Sequence, residues 1–234
     1  MSGQTRSQPV PSTPAELGAV PSPEPPARVS QTAYQELRAR IVDLTYPPGE
    51  MVNELQLSKA LGIGRMPIRE AVARLAQERF IWVIPRRGMV IANLSLTEVL
   101  NLMEARLIVE TGLVRELCGK VSDAELEELT MLFKAVDEAG ATGDYLHFLA
   151  RDHEAHVRLA EMVRNDFLGP LAESLHLHNL RFWRYCHRNR MVTDGHIQPH
   201  ETLLQALRRR DPDAAEREIR HLVGTSRASL QNLF

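Results

Sequence analysis

The sequence predicts a mainly α protein in two folded parts. Residues 31–94 read as an N-terminal winged helix-turn-helix of three helices and a two-stranded β-wing, and residues 95–234 as an all-α antiparallel bundle of about six helices. Three observations carry that prediction. Two short amphipathic segments meet at Gly62, the spacing of helix, tight turn, helix. The β-branched and aromatic runs are confined to Phe80–Ile84 and Met89–Ala92, enough for one hairpin. From Ser95 onward helix-start signals recur and strand signals are sparse.

Residues 1–30 belong to neither part. They carry seven prolines among Ser, Gln and Ala, with few large apolar side chains, so they cannot bury enough surface to offset ordering and are expected to form a disordered tail. The segment lacks the apolar core of a secretory signal, and no later stretch approaches the roughly 18 apolar residues of a membrane span. A cytoplasmic protein without membrane contact is the expectation. Cys118 and Cys186 have no CxxC spacing and read as free thiols in or near helices.

In the first folded part, Asn53 reads as the N-cap of a short helix carrying Leu55, Leu57 and Leu61. A second helix follows around Pro67. Its Ile68, Val72 and Leu75 fall at i, i+4 and i+7 and face the core, which turns Arg65, Arg69, Glu70 and Ala73 elsewhere. A helix-turn-helix lays this second helix in a DNA major groove. There the arginines either meet phosphates as charges or grip the O6 and N7 edge of guanine, and the sequence leaves both open. The hairpin that follows has a basic tip, Pro85-Arg86-Arg87-Gly88, which is the wing. Gly88 lets the backbone turn sharply and approach a groove, while Arg86 and Arg87 contact the DNA backbone or enter the minor groove. Alone, the basic helix fits a solvated face better and the hairpin an ordinary turn equally well; together they favour nucleic acid. Charge agrees: residues 31–95 hold nine Lys and Arg against six Asp and Glu, whereas residues 96–234 hold seventeen against twenty-two. A basic head on an acidic body steers toward DNA by counterion release.

Taken together, Leu37-Arg38, Ile41, Tyr46-Pro47-Pro48-Gly49-Glu50, Leu61-Gly62-Ile63, Arg65, Pro67-Ile68-Arg69-Glu70-Ala71-Val72, Arg74-Leu75 and Gly88 resemble the DNA-binding domain of the GntR family of bacterial transcription regulators. The resemblance implies DNA contacts by Arg38, Arg65, Met66, Arg69, Glu70, Arg74, Arg86, Arg87 and Gly88. Two positions depart from the family pattern, Gly64 where Ser or Thr is usual and Met66 where Thr is usual. Glycine is a tolerated N-cap, about a few tenths of a kcal/mol poorer than Ser, but it removes a hydroxyl that can reach a phosphate. Operator preference is where this chain is expected to differ.

In the second part, Ser95/Glu98 and Ser122/Glu125 have capping-box spacing, and Asp211-Pro212 offers an N-cap followed by proline at the first helical position. One constellation there carries chemistry. Asp152 and His156 fall on the face of the apolar stripe Tyr145, Phe148, Leu149, Leu159, Ala160 and Val163, so a carboxylate and an imidazole point inward one turn apart. A buried carboxylate needs a partner, and this spacing lets both groups ligate one ion. Two further candidates lie downstream: His200 begins a stripe continued by Leu203, Leu204 and Leu207, and His221 lies among the small residues Ala214, Gly224 and Ala228. Asp with three His suits a divalent metal, zinc first and nickel, manganese or iron next. On spacing alone a structural Asp–His hydrogen bond fits as well. A metal-dependent hydrolytic enzyme that activates water is the alternative function, although no candidate nucleophile or second acid/base pair accompanies the ligands.

The pattern Glu104-x-Arg106-x-x-x-Glu110, Asp152-x-x-x-His156, Asn165, and His200 with Leu204, Ala206, Asp211, Ala215 and His221-Leu222 resembles the FCD effector domain of the FadR subgroup. That resemblance implies a divalent metal on Asp152, His156, His200 and His221, with a small organic acid beside it. His147, His153, His176, His178, His187 and His196 match nothing in the pattern and read as surface or packing residues. Arg106 either grips an effector carboxylate or pairs with Glu110; Asn165 binds a ligand or caps a helix; Arg181 faces the pocket or solvent. The whole resemblance implies a homodimeric, sequence-specific regulator rather than an enzyme. It would act more often as a repressor, bind a palindromic operator and respond to an organic-acid effector.

Overall fold

The computed structural model describes residues 26–191 and 199–230. In chain order they form α1 (Pro26–Val42), β1 (Met51–Val52), α2 (Glu54–Leu61), α3 (Arg65–Gln77), β2 (Ile81–Ile84), β3 (Gly88–Ile91), α4 (Leu96–Lys120), α5 (Asp123–Ala141), α6 (Tyr145–Met162), α7 (Leu168–Arg188), α8 (Glu201–Arg208) and α9 (Pro212–Leu230). Residues 1–25 of the expected tail, and His196, lie outside the described residues. The last five residues of that tail are helical instead, because Pro26 opens α1 where its missing N–H leaves no gap in the ladder. Ser30 in this extension donates to the Glu70 carboxylate on α3 and so ties it to the head.

The head is the predicted winged helix-turn-helix with one strand more. Its sheet has the order β1-β3-β2, all antiparallel, with Met51 opposite Val90 and Val52 opposite Met89. The extra strand has only two residues, too few to show a period of two. Gly49, at φ 82°, turns the preceding loop so that its N–H reaches the Ile91 carbonyl at 2.9 Å, while the Glu50 carbonyl accepts from Ile91 N–H at 3.0 Å. Asn53 caps α2 as expected, accepting from Gln56 N–H at 2.9 Å while the Gln56 side chain returns to Asn53 N–H at 3.0 Å. Gly62 ends that helix in the left-handed region at φ 67°, a conformation that costs glycine least. Ile68, Ala71, Val72 and Leu75 of α3 then pack on Leu37, Ile41, Leu57 and Phe80, all buried.

Helices α4 to α9 make the second part, six helices among the described residues. Both predicted capping boxes are complete, Ser95 with Glu98 on α4 and Ser122 with Glu125 on α5. Asp211 Oδ1 accepts from the N–H groups of Asp213 and Ala214 at the start of α9. Helix α4 packs on α9 and α7, α5 on α6 and α8, and α6 on α7. Leu113, Leu117, Leu129, Phe133, Leu203 and Leu207 fill the interior. Among the described residues, no helix is long and apolar enough to cross a membrane.

Helix α7 touches both parts, packing on α1 as well as on α4 and α6. Four polar contacts cross from it to the head: Glu173 to Arg38 at 3.1 Å, His178 Nε2 to the Glu78 carbonyl at 2.8 Å, Arg181 to the Ala92 carbonyl at 2.6 Å, and Arg188 to the Leu44 carbonyl at 2.8 Å. His178 also stacks flat on Phe80, with ring centroids 4.0 Å apart.

Candidate functional site

The exposed face of α3 carries Arg65, Met66 and Arg69, as the apolar stripe on the opposite face requires. Arg69 does not float free. Its Nε and Nη2 donate to the two carboxylate oxygens of Glu54 on α2 at 3.0 and 2.9 Å, a fork that fixes the plane of the guanidinium. That hydrogen bonding holds the Glu54 carboxyl below its usual range. Gly64 precedes the helix with no side-chain cap, so the N–H groups of Arg65 and Met66, the two that precede Pro67, remain available to a phosphate at the positive end of the dipole.

Two arginines expected on DNA are engaged elsewhere. Arg38 donates to Tyr34 Oη at 2.9 Å and pairs with Glu173 of α7, which turns it into the junction between head and bundle. Arg74 lies over the Tyr34 ring at 3.6 Å and bonds Glu78 and Gln31. Both lie against Tyr34, where α1 meets α3, a relation that spacing along one helix does not reveal. On the wing, Arg86 and Arg87 are exposed at the tip, with Arg86 itself at φ 64°. Gly88 adopts φ 106°, and a Cβ there would stand 3.3 Å from the Val52 carbonyl oxygen. The positive φ, with strand β1 so close, strains any side chain at this position, whatever the wing touches.

The second candidate site is a cavity inside the bundle. Arg106 and Glu110 of α4, Asp152 and His156 of α6, Asn179 and Trp183 of α7, His200 at the start of α8, and Ile219, Leu222, Ser226 and Ser229 of α9 line it. Asp152 Oδ1 stands 3.5 Å from His156 Nε2 and 3.6 Å from His200 Nε2. These separations are long for good hydrogen bonds. They approach the edge of a tetrahedron around one ion, roughly 3.4 Å for bonds of 2.0–2.1 Å. One donor atom of each of Asp152, His156 and His200 lies within 4.8 Å of the other two, and the residues present therefore fit a divalent cation. His200 Nδ1 is buried with no hydrogen-bond partner among the described residues, and the His200 ring is held by stacking on Phe133 at 4.4 Å.

Electrostatics suit a cation here. Burial pushes the His200 imidazole down to about 4, so at neutral pH it is in the uncharged form that ligates metals. Burial alone would raise the Asp152 carboxyl, but His156 and His200 beside it more than offset that and keep it ionised. Glu110, whose burial would also raise it, is held low by Arg106, which donates to it at 2.6 and 3.4 Å.

The structure sorts the remaining candidates. His221 does not join the cluster. The buried stripe of α9 is Ala215, Ile219, Val223 and Leu230, and position 221 lies nearly opposite, exposed beside Pro199, Thr202 and Glu218. The small-residue face of Ala214, Gly224 and Ala228 borders solvent instead of making room for an ion. Asn165 Oδ1 accepts from Phe167 and Leu168 N–H at 3.0 Å each and caps the start of α7, away from the cavity. Arg181 faces neither the cavity nor solvent. It is 1% exposed and reaches the segment between head and bundle, where burial lowers its guanidinium to about 10. Two histidines read as surface or packing residues do more than that. His178 anchors the head to α7, and His176 lies in the bundle core, its ring 4.2 Å from that of His156 and its Nε2 3.3 Å from Glu110 Oε1. The stripe Ala172, His176, Asn179, Trp183 and Cys186 on α7 was the available signal for His176.

Comparison with known proteins bears on both sites. The family profile described as "Bacterial regulatory proteins, gntR family" matches residues 29–91, and that of the FCD domain matches residues 101–225. The Nta operon transcriptional regulator of Aminobacter aminovorans is 31% identical over 178 residues, covering 74% of this chain and 82% of that protein. The HTH-type transcriptional repressor RspR of Escherichia coli (strain K12) is 26% identical over 202 residues, covering 83% of this chain and 86% of its own. The solved structure titled "E. coli McbR/YncC" shares the fold, with a TM-score of 0.75 at 18% identity, covering 87% of this chain and 97% of that one. The family and the two named relatives are transcription regulators, not enzymes, which removes the hydrolytic alternative.

Proposed function

Because the chain belongs to the GntR family of bacterial transcription regulators, with an FCD domain behind its winged helix-turn-helix, we propose that it is a homodimeric repressor whose grip on a palindromic operator is set by a small carboxylate held with a divalent metal in the bundle. The observation that carries this reading is the cluster of Asp152 Oδ1, His156 Nε2 and His200 Nε2 in a cavity that Arg106 also lines. When bound, the metal supplies positive charge and vacant positions for an oxygen ligand. Zinc suits one carboxylate and imidazoles best, with nickel, manganese or iron as the alternatives. Arg106, oriented by Glu110, presents a second positive group to the same ligand.

On the DNA side, α3 turns Arg65, Met66 and Arg69 outward along with Glu70 and Arg74, and Arg86 and Arg87 stand at the wing. Two-fold pairing of heads places two such helices in successive major grooves. RspR is a transcriptional repressor, which favours repression here. A DNA target implies a cytoplasmic protein. A ligand acts on the head only through unequal affinity for two arrangements, and α7 provides the link, since it lines the cavity with Asn179 and Trp183 and holds the head with His178 and Arg181.

Binding of the full chain to duplex DNA from beside its own gene tests the proposal, followed by fluorescence anisotropy in chelator, with zinc, and with zinc plus a panel of small mono- and dicarboxylates. Sequence-selective binding that at least one carboxylate changes in the presence of metal, but not in chelator, is the expected result. Binding indifferent to both metal and carboxylates would refute the effector reading while leaving the DNA reading intact.

A further inference from the structure

The metal reading leaves one protein ligand to be found, because the fourth member of the expected set, His221, is exposed on the far face of α9 and the inward position beside it is Leu222. Resting on that reading, we propose that the third imidazole comes from α7, from His176, so that the ion is held by Asp152, His156, His200 and His176. Helix α9 offers the cavity only Ile219, Leu222, Ser226 and Ser229, no histidine and no carboxylate. His176 is buried, and its ring lies nearly parallel to that of His156, 4.2 Å between centroids and 22° between planes. Donor atoms of Glu110, His156 and His176 lie within 4.8 Å of one another, as do those of Asp152, His156 and His200; the two groups share His156, and His176 joins the second only by a turn of its ring away from Glu110.

The other polar groups near the cluster are already committed. Glu110 holds the buried Arg106, and taking its carboxylate onto a metal would strand that charge. Asn179 Oδ1 accepts from Trp183 Nε1 at 3.0 Å. Apart from its stack on His156, His176 is held by a 3.3 Å approach to Glu110, longer than a good hydrogen bond. A turn of its ring toward the ion therefore gives up little, and Glu110 keeps Arg106 as its partner. Four ligands of this kind complete a tetrahedron or leave an octahedral ion two open positions for a carboxylate.

The test uses the full chain, stripped with a chelator and reloaded with zinc or cobalt. Substituting His176→Gln should weaken zinc binding, measured against a chromophoric chelator, by at least about tenfold, the lower range for loss of even an outer partner of a ligand. It should also change the visible absorption of the cobalt form. His221→Ala should leave both unchanged. The reverse pattern, or wild-type affinity and spectrum in His176→Gln, overturns the proposal. A measurement that needs no variant at position 176 guards against misfolding: in 15N-histidine spectra, zinc should move three imidazoles to metal-bound positions in the wild type and equally in His221→Ala, and two in either protein overturns it. Loss of metal in His156→Ala with retention in His176→Gln refutes this inference alone. Absence of metal binding by the wild type refutes it together with the metal reading.

Discussion

The same chemical pair, an arginine forked onto a glutamate, occurs in both halves of the molecule under opposite conditions. In the head, the Arg69 and Glu54 side chains are 63% and 33% exposed; in the bundle, those of Arg106 and Glu110 are 8% and 5% exposed. Water surrounds the first pair, so it adds little to stability and can be exchanged for a guanine edge or a phosphate. The second pair has no such substitute. Removing one partner leaves a bare charge in a medium that cannot solvate it. The head thus keeps its charges available, and the bundle locks them in place. One surface is built to trade partners and the other to hold a fixed field around a cavity.

That contrast is sharpest under acid. Burial holds His176, His178 and His200 near 4, below the ordinary imidazole value of 6.5. A group whose folded value is depressed contributes stability that is fully present above its unfolded value and lost as pH falls toward the folded one. Stability of the bundle and of its junction with the head should therefore fall steadily from pH 6.5 toward pH 4, seen as a falling urea midpoint. A midpoint flat across that window would show that these rings are not buried as neutral groups. Next in size, Glu110→Ala should destabilise the fold by about 3–5 kcal/mol, measured by denaturant unfolding, because Arg106 is left unpaired. A loss under about 1 kcal/mol, of the order of an exposed pair, would erase the distinction between the two halves.

In the head, Arg69→Ala should reduce operator affinity on the order of tenfold to a hundredfold, the range for one bidentate base contact, while leaving the unfolding curve in place. Unchanged binding would remove Arg69 from the interface. The smallest effect belongs to Gly64→Ser. A serine there has room, with the nearest side-chain atom 3.9 Å from its Cβ, and can cap α3. Proline at position 67 leaves Met66 N–H as the only conventional capping partner, so the gain should be about a few tenths of a kcal/mol in thermal unfolding. A gain of several kcal/mol would mean that the start of α3 is strained.

Local chemistry was readable from the chain where it is written in consecutive residues. Asn53, Gly62, Ser95, Ser122 and Asp211 each do what their spacing predicted, because a cap or a turn involves only neighbours along the backbone. The inward placement of Asp152 and His156 was legible for the same reason. What escaped depends on which way a helix faces once packed. His221 lies on a small-residue face that fitted either interior or solvent, and only the packing of α4 against α9 decides it. His176 and His178 sit two residues apart on α7, and the first enters the bundle core while the second meets the head. A helix gripped on two sides has two buried faces, which a single amphipathic stripe cannot describe. Arg181 escaped for the same reason, since its partner Ala92 lies across the junction, as does the Glu173 that pairs with Arg38.

Helix α7 also governs how the molecule comes apart. Four polar contacts and the flat packing of His178 on Phe80 attach it to the head, while its opposite face lies in the bundle core. Melting the bundle would strip the head of these partners and leave Phe80 uncovered on one side. Heat should accordingly unfold the two halves in one cooperative transition, and the amide protons of α7 should be among the last to exchange with solvent.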